Sequence, residues 1–212
     1  MFLVRSIFYK VKMSKIRMNT NLQKIQKAIS VVFKEHEGQY RKGTQTPYIV
    51  HLLDVSSILM YEEDLDENVI CAGILHDTLE DTHYTKEQLQ EDFGNEVCKL
   101  VLFCTEDGNT VDTSKEEEVR TWKVRKEKSL EKLTQGAKEE EMLVFLADKL
   151  SNIKSMYEEK LIVGDEFWNK FNASYEEIKW YYTQILELTQ DVLSKRRVHL
   201  LYSHYVGEVF QK

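Results

Sequence analysis

The chain contains very few of the residues that form turns. It has eight glycines and one proline in 212 residues, about 4% together, whereas about 12% is usual in proteins. A β-sandwich or β-barrel needs a turn every 8–12 residues or so, and those turns are built mainly from Gly, Pro, Asn and Asp. The sequence therefore predicts an all-α protein. With 42% hydrophobic and 31% charged residues, a chain of this length is expected to form a single globular domain.

The charge and the cysteines narrow the class of protein and its partners. The formal net charge is −7, which argues against binding to a nucleic-acid polymer, because proteins that bind phosphate backbones usually carry a basic surplus. The three cysteines show no CxxC spacing and predict neither a disulfide framework nor a structural zinc site. No window approaches the roughly 20 apolar residues of a membrane span. We therefore expect a cytoplasmic protein without a membrane partner.

The apolar periodicity divides the chain into three parts. A helical repeat of apolar residues begins near Leu22, so residues 1–20 are interpreted as a frayed or over-called N-terminus. Residues 21–190 are predicted to form the main helical domain, and residues 191–212 a C-terminal helical extension. The sequence shows no internal repeat or low-complexity linker that would divide the main domain further.

Several helix boundaries follow from capping residues. Thr46 is expected to cap a helix over about residues 47–60, with Pro47 at its first position, where a missing N–H needs no partner. Residues 69–80 indicate one buried helix that ends in polar residues. The segment 105–118 is expected to be a mobile surface loop. Capping boxes are predicted at three further helix starts: Thr85, Ser114 and Ser174.

Three apolar runs end in side chains that bind metal ions. His76 and Asp77 follow CAGIL, His51 follows YIV, and Asp148 follows VFLA. Two imidazoles and two carboxylates suit Mn²⁺, Fe²⁺ or Zn²⁺ and leave positions for water and a phosphate oxygen. Taken singly, His51 is equally well explained as a hydrogen-bonded histidine of the core, and Asp148 as an aspartate that caps a helix. The coincidence of three such runs favours a metal site.

Two acidic residues follow the adjacent His–Asp pair. Glu80 and Asp81 come four residues after His76 and Asp77, which places them one helical turn further along the same faces. A general acid or base would stand there beside a metal ion. The alternative is exposure on a frayed last turn, although acidic residues at that end oppose the helix macrodipole.

Basic residues near these positions are candidates for binding phosphate. Arg41 and Lys42 lie in the loop before the second helix, and Lys149 adjoins one of the candidate carboxylates. Loops positioned by a helical scaffold commonly carry binding residues, which favours the first two. Arg125 and Lys126 lie in a segment that is charged throughout, so we expect them on a solvated helix surface.

The motifs resemble those of a known family. HEGQYRKGTQTPYIVH, ILHDTLEDT, FGNEV and LADKLSNI occur in this order, between about Leu22 and Tyr182, and resemble the HD-domain hydrolase half of the RelA/SpoT alarmone enzymes. The resemblance implies an all-α HD-domain fold over residues 21–190. It also implies one Mn²⁺ ion and removal of the 3′-pyrophosphate from guanosine tetra- or pentaphosphate. Because the chain is too short to include the synthetase and regulatory domains, we expect a stand-alone hydrolase with a small nucleotide substrate.

The resemblance also assigns roles to residues. It implies four metal ligands: His51, His76, Asp77 and Asp148. It implies a catalytic acidic pair, Glu80 and Asp81, and three nucleotide contacts, Arg41, Lys42 and Asn152.

The chain departs from the family pattern in its basic loop. The spacing from Arg41 to His51 is one residue longer than in the long enzymes, and Leu52 stands where they usually have proline. Two alternatives therefore stay open: hydrolysis of another nucleotide or phosphate ester, and nucleotide sensing without turnover. A sensor is disfavoured because every expected ligand and both acidic residues are present.

Overall fold

The computed structural model describes residues 22–106 and 113–210 and is helical over these ranges. Its extended pairing there is limited to an isolated antiparallel bridge between Tyr40 and Pro47, so the all-α prediction is confirmed. The predictions for residues 1–20 and for residues 107–112 of the expected loop lie outside the described residues. Within the described part, no helix is both long and apolar enough to cross a membrane.

The described residues form nine α-helices and one 3₁₀ helix. In chain order these are α1 (Leu22–Glu35), α2 (Ile49–Met60), α3 (Glu67–Leu75), α4 (Thr78–Asp81), α5 (Lys86–Cys104), α6 (Lys115–Thr134), α7 (Glu139–Val163), the 3₁₀ helix (Gly164–Lys170), α8 (Tyr175–Leu193) and α9 (Arg197–Phe210). A break divides α5 at Gly94, whose φ of 84° is in the left-handed region that glycine tolerates.

Helix α7 lies at the centre of the fold. Residues 142–148 of this helix are all buried, and a helix that is apolar on every side must be covered on every side. Helices α2, α3, α5, α8 and α9 pack around it. Asp148 is the last residue of this run and is only 6% exposed, so the packing of α7 carries a carboxylate into the interior.

The C-terminal segment belongs to the same core. Helix α9 packs on α7 and α8, and Tyr202, Val198 and Val209 in it are fully buried. The Nζ of Lys160 in α7 donates to the backbone oxygen of Val209 at 2.9 Å. The predicted C-terminal helix therefore packs against the central helix as part of the core.

The predicted helix caps are present, with one difference. Capping boxes form at Thr85 and at Ser174. The Ser114 hydroxyl accepts the backbone N–H of Glu117 at 3.3 Å, but the Glu117 carboxylate pairs with Arg120. The reciprocal half of the third box was therefore predicted wrongly, because an arginine one turn along the helix binds the carboxylate.

The helix that carries His51 begins later than predicted. Helix α2 starts at Ile49, and its N-cap is Tyr48, which makes no side-chain capping hydrogen bond. Thr46 is therefore not the N-cap and Pro47 is not the first residue of this helix, so both predictions were wrong.

Pro47 instead belongs to a short hairpin over residues 39–48. The backbone N–H of Arg41 donates to the oxygen of Thr46 at 2.8 Å, and that of Tyr48 donates to the oxygen of Gln39 at 2.9 Å. These bonds flank the bridge between residues 40 and 47. Proline fits the bridge position because the hydrogen bonds are made by its neighbours and its missing N–H is not needed there.

The predicted helix over residues 69–80 is in fact two helices, α3 and α4. At the end of α3, His76 Nδ1 lies 2.9 Å from the backbone oxygen of Gly73, and the Thr78 hydroxyl donates to that of Leu75 at 2.6 Å. These two side chains thus bind backbone carbonyl oxygens that would accept backbone N–H groups if the helix continued. The prediction of one continuous helix was wrong, and the break falls at the predicted metal ligands.

Gly73 allows α2 and α3 to pack closely. A Cβ atom at this position would lie 2.3 Å from Cδ1 of Leu59 and 3.4 Å from Cγ1 of Val55. Because α2 carries His51 and α3 ends next to His76, this close approach determines how near the two imidazoles lie to each other.

We expect Gly73→Ala to lower the free energy of unfolding by about 1–3 kcal/mol, because the new methyl overpacks a buried helix contact. Urea denaturation measures the change. Leu59→Ala alone should cost about 2–5 kcal/mol through the cavity it leaves. The double variant should be more stable than the sum of the two single effects predicts, because the shortened Leu59 side chain removes the clash. Strictly additive effects would contradict this account of the packing.

Candidate metal and catalytic site

Four ionisable side chains from α2, α7 and the α3–α4 junction converge in the core. His51 Nε2 lies 3.3 Å from His76 Nε2 and 3.2 Å from Asp148 Oδ1. His76 Nε2 lies 3.0 Å from Asp77 Oδ2 and 3.5 Å from Asp148 Oδ1. The four residues predicted as metal ligands are therefore brought together, although their helices are far apart in sequence.

Partners on the outer ring nitrogens orient both imidazoles. His76 Nδ1 faces the backbone oxygen of Gly73, which can only accept, so Nδ1 carries a proton and Nε2 points to the centre, where a metal ion would bind its lone pair. His51 Nδ1 lies 3.0 Å from Ser151 Oγ. Histidines that bind metals commonly have such a partner on the outer nitrogen.

The two carboxylates are stabilised in their ionised form. The Nζ of Lys149 lies 2.6 Å from Asp148 Oδ2, and Asn152 Nδ2 donates to Asp148 Oδ1 at 2.5 Å. Burial favours protonation of Asp148, but the charge of Lys149 and the histidine hydrogen bonds lower its pKa well below the usual range. Burial acts in the same way on Asp77, and the charge of His76 outweighs it, so this pKa is lowered as well.

The site affects the pKa values of its two histidines in opposite directions. Burial lowers the pKa of His51. Burial would also lower the pKa of His76, but the Asp77 charge and hydrogen bonds to Asp148 and Asp77 raise it well above its ordinary value. The carboxylates of Asp77 and Asp148, which lie next to both Nε2 atoms, thus favour a positive charge at this point.

The donor set fits a divalent metal ion. Ligand atoms of His51, His76 and Asp77 all lie within 4.8 Å of one another, and the distances from each Nε2 to the carboxylates are 3.0–3.6 Å. Atoms bound to one ion through bonds of about 2.0–2.2 Å lie at such distances from each other. Nitrogen and carboxylate donors together suit a transition metal of intermediate softness.

The two acidic residues of α4 occupy different environments. Glu80 Oε1 accepts the backbone N–H of Glu106 at 2.6 Å. Burial and the neighbouring charge of Asp77 raise the pKa of Asp81 to about 7. A carboxyl that titrates near neutral pH can both accept and donate a proton, as a general acid or base must.

The predicted phosphate-binding residues lie at different depths. Arg41 Nη2 donates to Asn152 Oδ1 at 2.6 Å, and its guanidinium carbon lies 5.5 Å from the centroid of the Tyr48 ring. Lys149 is largely buried at the centre of the site. Lys42 is exposed on the hairpin. The structure therefore places Arg41, Asn152 and Lys149 at the candidate site and Lys42 at its outer surface.

The sequence of the chain matches a family model described as HD domain over residues 28–164. The chain belongs to the HD-domain family. This confirms the family that the motifs indicate.

Named relatives share this HD domain. A GTP pyrophosphokinase of Streptomyces coelicolor is 39% identical over 144 residues, which cover 67% of this chain and 16% of that protein. The guanosine-3′,5′-bis(diphosphate) 3′-pyrophosphohydrolase of Aquifex aeolicus is 34% identical over 137 residues, 64% of this chain and 18% of that one. The chain thus spans less than a fifth of these long relatives. The Drosophila melanogaster pyrophosphohydrolase of the same name, MESH1, is 36% identical over 124 residues, 58% of this chain and 63% of that protein.

Solved structures share the HD-domain fold over most of their length. The crystal structure of lmo0812 from Listeria monocytogenes superposes with a TM-score of 0.64 at 31% identity, covering 76% of this chain and 99% of that one. A metazoan SpoT ortholog, described as hydrolysing ppGpp, superposes with a TM-score of 0.63 at 25% identity, covering 86% of this chain and 93% of that one.

Sequence reasoning missed Tyr48 in this HD domain. Its hydroxyl donates to Asp77 Oδ2 at 2.6 Å, although it lies 29 residues away in the chain. The available signal was its position three residues before His51, a spacing that places two side chains on one face of a helical turn.

The expectation that Arg125 and Lys126 lie on a solvated surface was wrong. Both pair with the carboxylate of Glu106, and their side chains are 11% and 17% exposed. Lys126 Nζ also lies 5.2 Å from the centroid of the Tyr181 ring. The local sequence is charged throughout, so the pattern within α6 could not show that a carboxylate after α5 covers these two cations.

The raised pKa of Asp81 predicts a pH-dependent stability in the metal-free protein. The folded state favours the protonated carboxyl, so the free energy of unfolding should fall as the pH rises from about 4 through about 7. Asp81→Asn should reduce this fall by about 2–4 kcal/mol, because it removes the charge that burial and Asp77 oppose. Urea denaturation at several pH values in EDTA measures it. Parallel losses in the wild type and the variant would contradict the environment described for Asp81.

Proposed function

We propose that this HD-domain protein is a metal-dependent phosphohydrolase that removes the 3′-pyrophosphate from guanosine tetra- or pentaphosphate and yields GDP or GTP and pyrophosphate. The observation that carries this proposal is the convergence of His51, His76, Asp77 and Asp148, with Asp81 half-buried beside them. Relatives from Aquifex aeolicus and Drosophila melanogaster that carry this activity in their names support it.

Mn²⁺ is the proposed ion, held by His51, His76, Asp77 and Asp148. The mixed nitrogen and oxygen donors support this assignment, and so do the hydrogen bonds that orient each of the four side chains. When bound, such an ion lowers the pKa of a coordinated water and polarises a phosphoryl oxygen.

The acidic pair is proposed to handle protons. Asp81 accepts a proton from the water that attacks the 3′-linked phosphorus, which its pKa of about 7 supports. The P–O3′ bond breaks, the phosphorus keeps the oxygen of the attacking water, and Asp81 passes the proton it accepted to the 3′ oxygen, which leaves as a hydroxyl. Glu80, whose carboxylate is fixed by the backbone N–H of Glu106, helps to orient the attacking water.

The basic residues are proposed to bind the nucleotide phosphates. Arg41 extends from the hairpin towards the site, where Asn152 holds its guanidinium, and an arginine fork suits phosphate oxygens. Lys42 contributes from the outer surface of the same hairpin. Lys149 adds a buried positive charge next to Asp148, which favours the approach of an anionic substrate.

A different substrate is the second candidate. The hairpin that carries Arg41 has the longer spacing to His51, and Leu52, which stands in place of the usual proline, is fully buried in α2. If this loop contacts the base, another nucleotide or phosphate ester would fit the same HD-domain chemistry. Nucleotide sensing without turnover is less well supported, because the ligand set and the acidic pair are complete.

The free cysteines support a reducing, cytoplasmic location for the proposed enzyme. Cys71, Cys98 and Cys104 are unpaired thiols, and disulfides are rare in the reducing cytoplasm. Its proposed partner is a small nucleotide rather than a nucleic-acid polymer, in keeping with the net charge of −7.

Purified protein with Mn²⁺ should release pyrophosphate from ppGpp, and EDTA should abolish the release. His76→Ala and Asp77→Asn should each lower kcat/KM by about 10³-fold or more, since each removes a proposed ligand. Asp54→Asn is the matched control: Asp54 lies on α2 and pairs with Lys154 at 2.8 Å, so this variant should stay within about 2-fold of the wild type. No release by the wild type, or undiminished release by the two ligand variants, would refute the proposal.

A parallel panel of nucleoside 3′- and 5′-phosphates distinguishes the two substrate classes. We expect ppGpp to show the highest kcat/KM, because similar proteins from Aquifex aeolicus and Drosophila melanogaster are named for this activity. If another nucleotide exceeds ppGpp by about tenfold or more, a difference of about 1.4 kcal/mol in transition-state binding, the second candidate replaces the first.

A further inference from the structure

Tyr48 connects three parts of the candidate site. Its hydroxyl donates to Asp77 Oδ2 at 2.6 Å. Its ring stacks on His36, with centroids 5.3 Å apart and planes inclined by 14°. The guanidinium of Arg41 lies over the same ring at 5.5 Å. One side chain thus touches a proposed metal ligand, a histidine beside the hairpin and the proposed phosphate-binding arginine.

The backbone around Tyr48 leaves its side chain little freedom. Tyr48 is both the last residue of the hairpin, where its N–H donates to the backbone oxygen of Gln39, and the N-cap of α2. The His51 ring lies edge-on to its ring at 5.7 Å. A tyrosine hydroxyl that is removed from water needs a hydrogen-bond partner, and the carboxylate of Asp77 provides it.

A second set of contacts reaches the same turn from the hairpin. His36 Nδ1 lies 2.7 Å from Gln39 Oε1, and Gln39 Nε2 donates to the backbone oxygen of Asp81 at 2.7 Å. The residue that stacks beneath Tyr48 is therefore also connected, through Gln39, to the backbone of α4. These contacts connect the hairpin to α4 on the side where the Tyr48 ring stacks on His36.

We propose that Tyr48 is a positioning residue of this site: its hydroxyl fixes the carboxylate of Asp77, and its ring holds Arg41 in place. The inference rests on the proposed function and adds a residue that neither the motifs nor the ligand geometry assigned. It separates two contributions. The hydroxyl acts on Asp77, so its loss affects turnover and metal affinity, whereas the ring acts on Arg41, so its loss affects substrate binding.

Two substitutions of Tyr48 test these contributions separately. Tyr48→Phe keeps the stacked ring and removes the hydroxyl. It should lower kcat by about 10- to 100-fold and weaken Mn²⁺ binding about 10-fold, as loss of a hydrogen bond that orients a ligand commonly does, while KM stays within about 3-fold. Tyr48→Leu removes the ring as well and should additionally raise KM about 3- to 10-fold, because Arg41 loses its aromatic partner.

Tyr84→Phe is the matched control. The Tyr84 hydroxyl also donates to a carboxylate, Asp92 Oδ2 at 2.5 Å, but this contact joins the start of α5 to its own first half. The control should leave kcat, KM and Mn²⁺ affinity within about 2-fold of the wild type, an amount that corresponds to a fraction of one hydrogen bond. Thermal unfolding of all variants shows that each is folded at the assay temperature.

Calorimetric titration with Mn²⁺ makes the test independent of the substrate. If the wild type does not hydrolyse ppGpp, the proposed function fails, while the Mn²⁺ affinities of Tyr48→Phe and Tyr84→Phe still decide the role of Tyr48. Unchanged affinity and unchanged kcat in Tyr48→Phe would overturn the proposal. Equal losses in Tyr48→Phe and Tyr84→Phe would also overturn it, because they would indicate a general effect of removing a tyrosine hydroxyl.

Discussion

An ionised carboxylate at the centre of a hydrophobic core is the constraint on which this structure depends. Asp148 ends the buried run of α7, and an unpaired buried carboxylate costs several kcal/mol. Lys149 and Asn152 compensate part of its charge from the same helix. The remaining partners, His51 and His76, come from α2 and the end of α3, so these two helices must pack closely on α7. The charge balance of one residue thus determines the arrangement of three helices.

Irregular backbone positions make this close arrangement possible. Gly73 allows α2 and α3 to approach, and its carbonyl orients the ring of His76. The helix break at His76 and Asp77 starts a new turn that carries the acidic pair, with the backbone N–H of Asp81 still donating to the oxygen of Asp77 at 2.9 Å. A continuous helix would have used the Gly73 carbonyl in its own hydrogen-bond ladder. The regular core therefore supplies stability, and the departures from it orient the ligands.

Polar residues that interrupt an apolar run can be recognised in the sequence as candidate site residues, because a buried polar side chain needs a partner. Asp148 after VFLA and His76 after CAGIL are visible in this way, and periodicity likewise reveals the helices. The start of α2 was not predictable, since Thr46 and Pro47 suit a helix N-terminus as well as a hairpin. The bond between His51 and Ser151 joins residues 100 positions apart. Local rules do not describe such contacts, which depend on how the helices pack.

Glu80 and Asp81 are neighbours in the chain, but different contacts hold them in place. Gln39 of the hairpin supports Asp81, because its Nε2 donates to the backbone oxygen of Asp81. Glu80 accepts the backbone N–H of Glu106, whose carboxylate binds Arg125 and Lys126 of α6. Because contacts from different parts of the fold hold the two residues, one short helix carries two carboxylates in different environments.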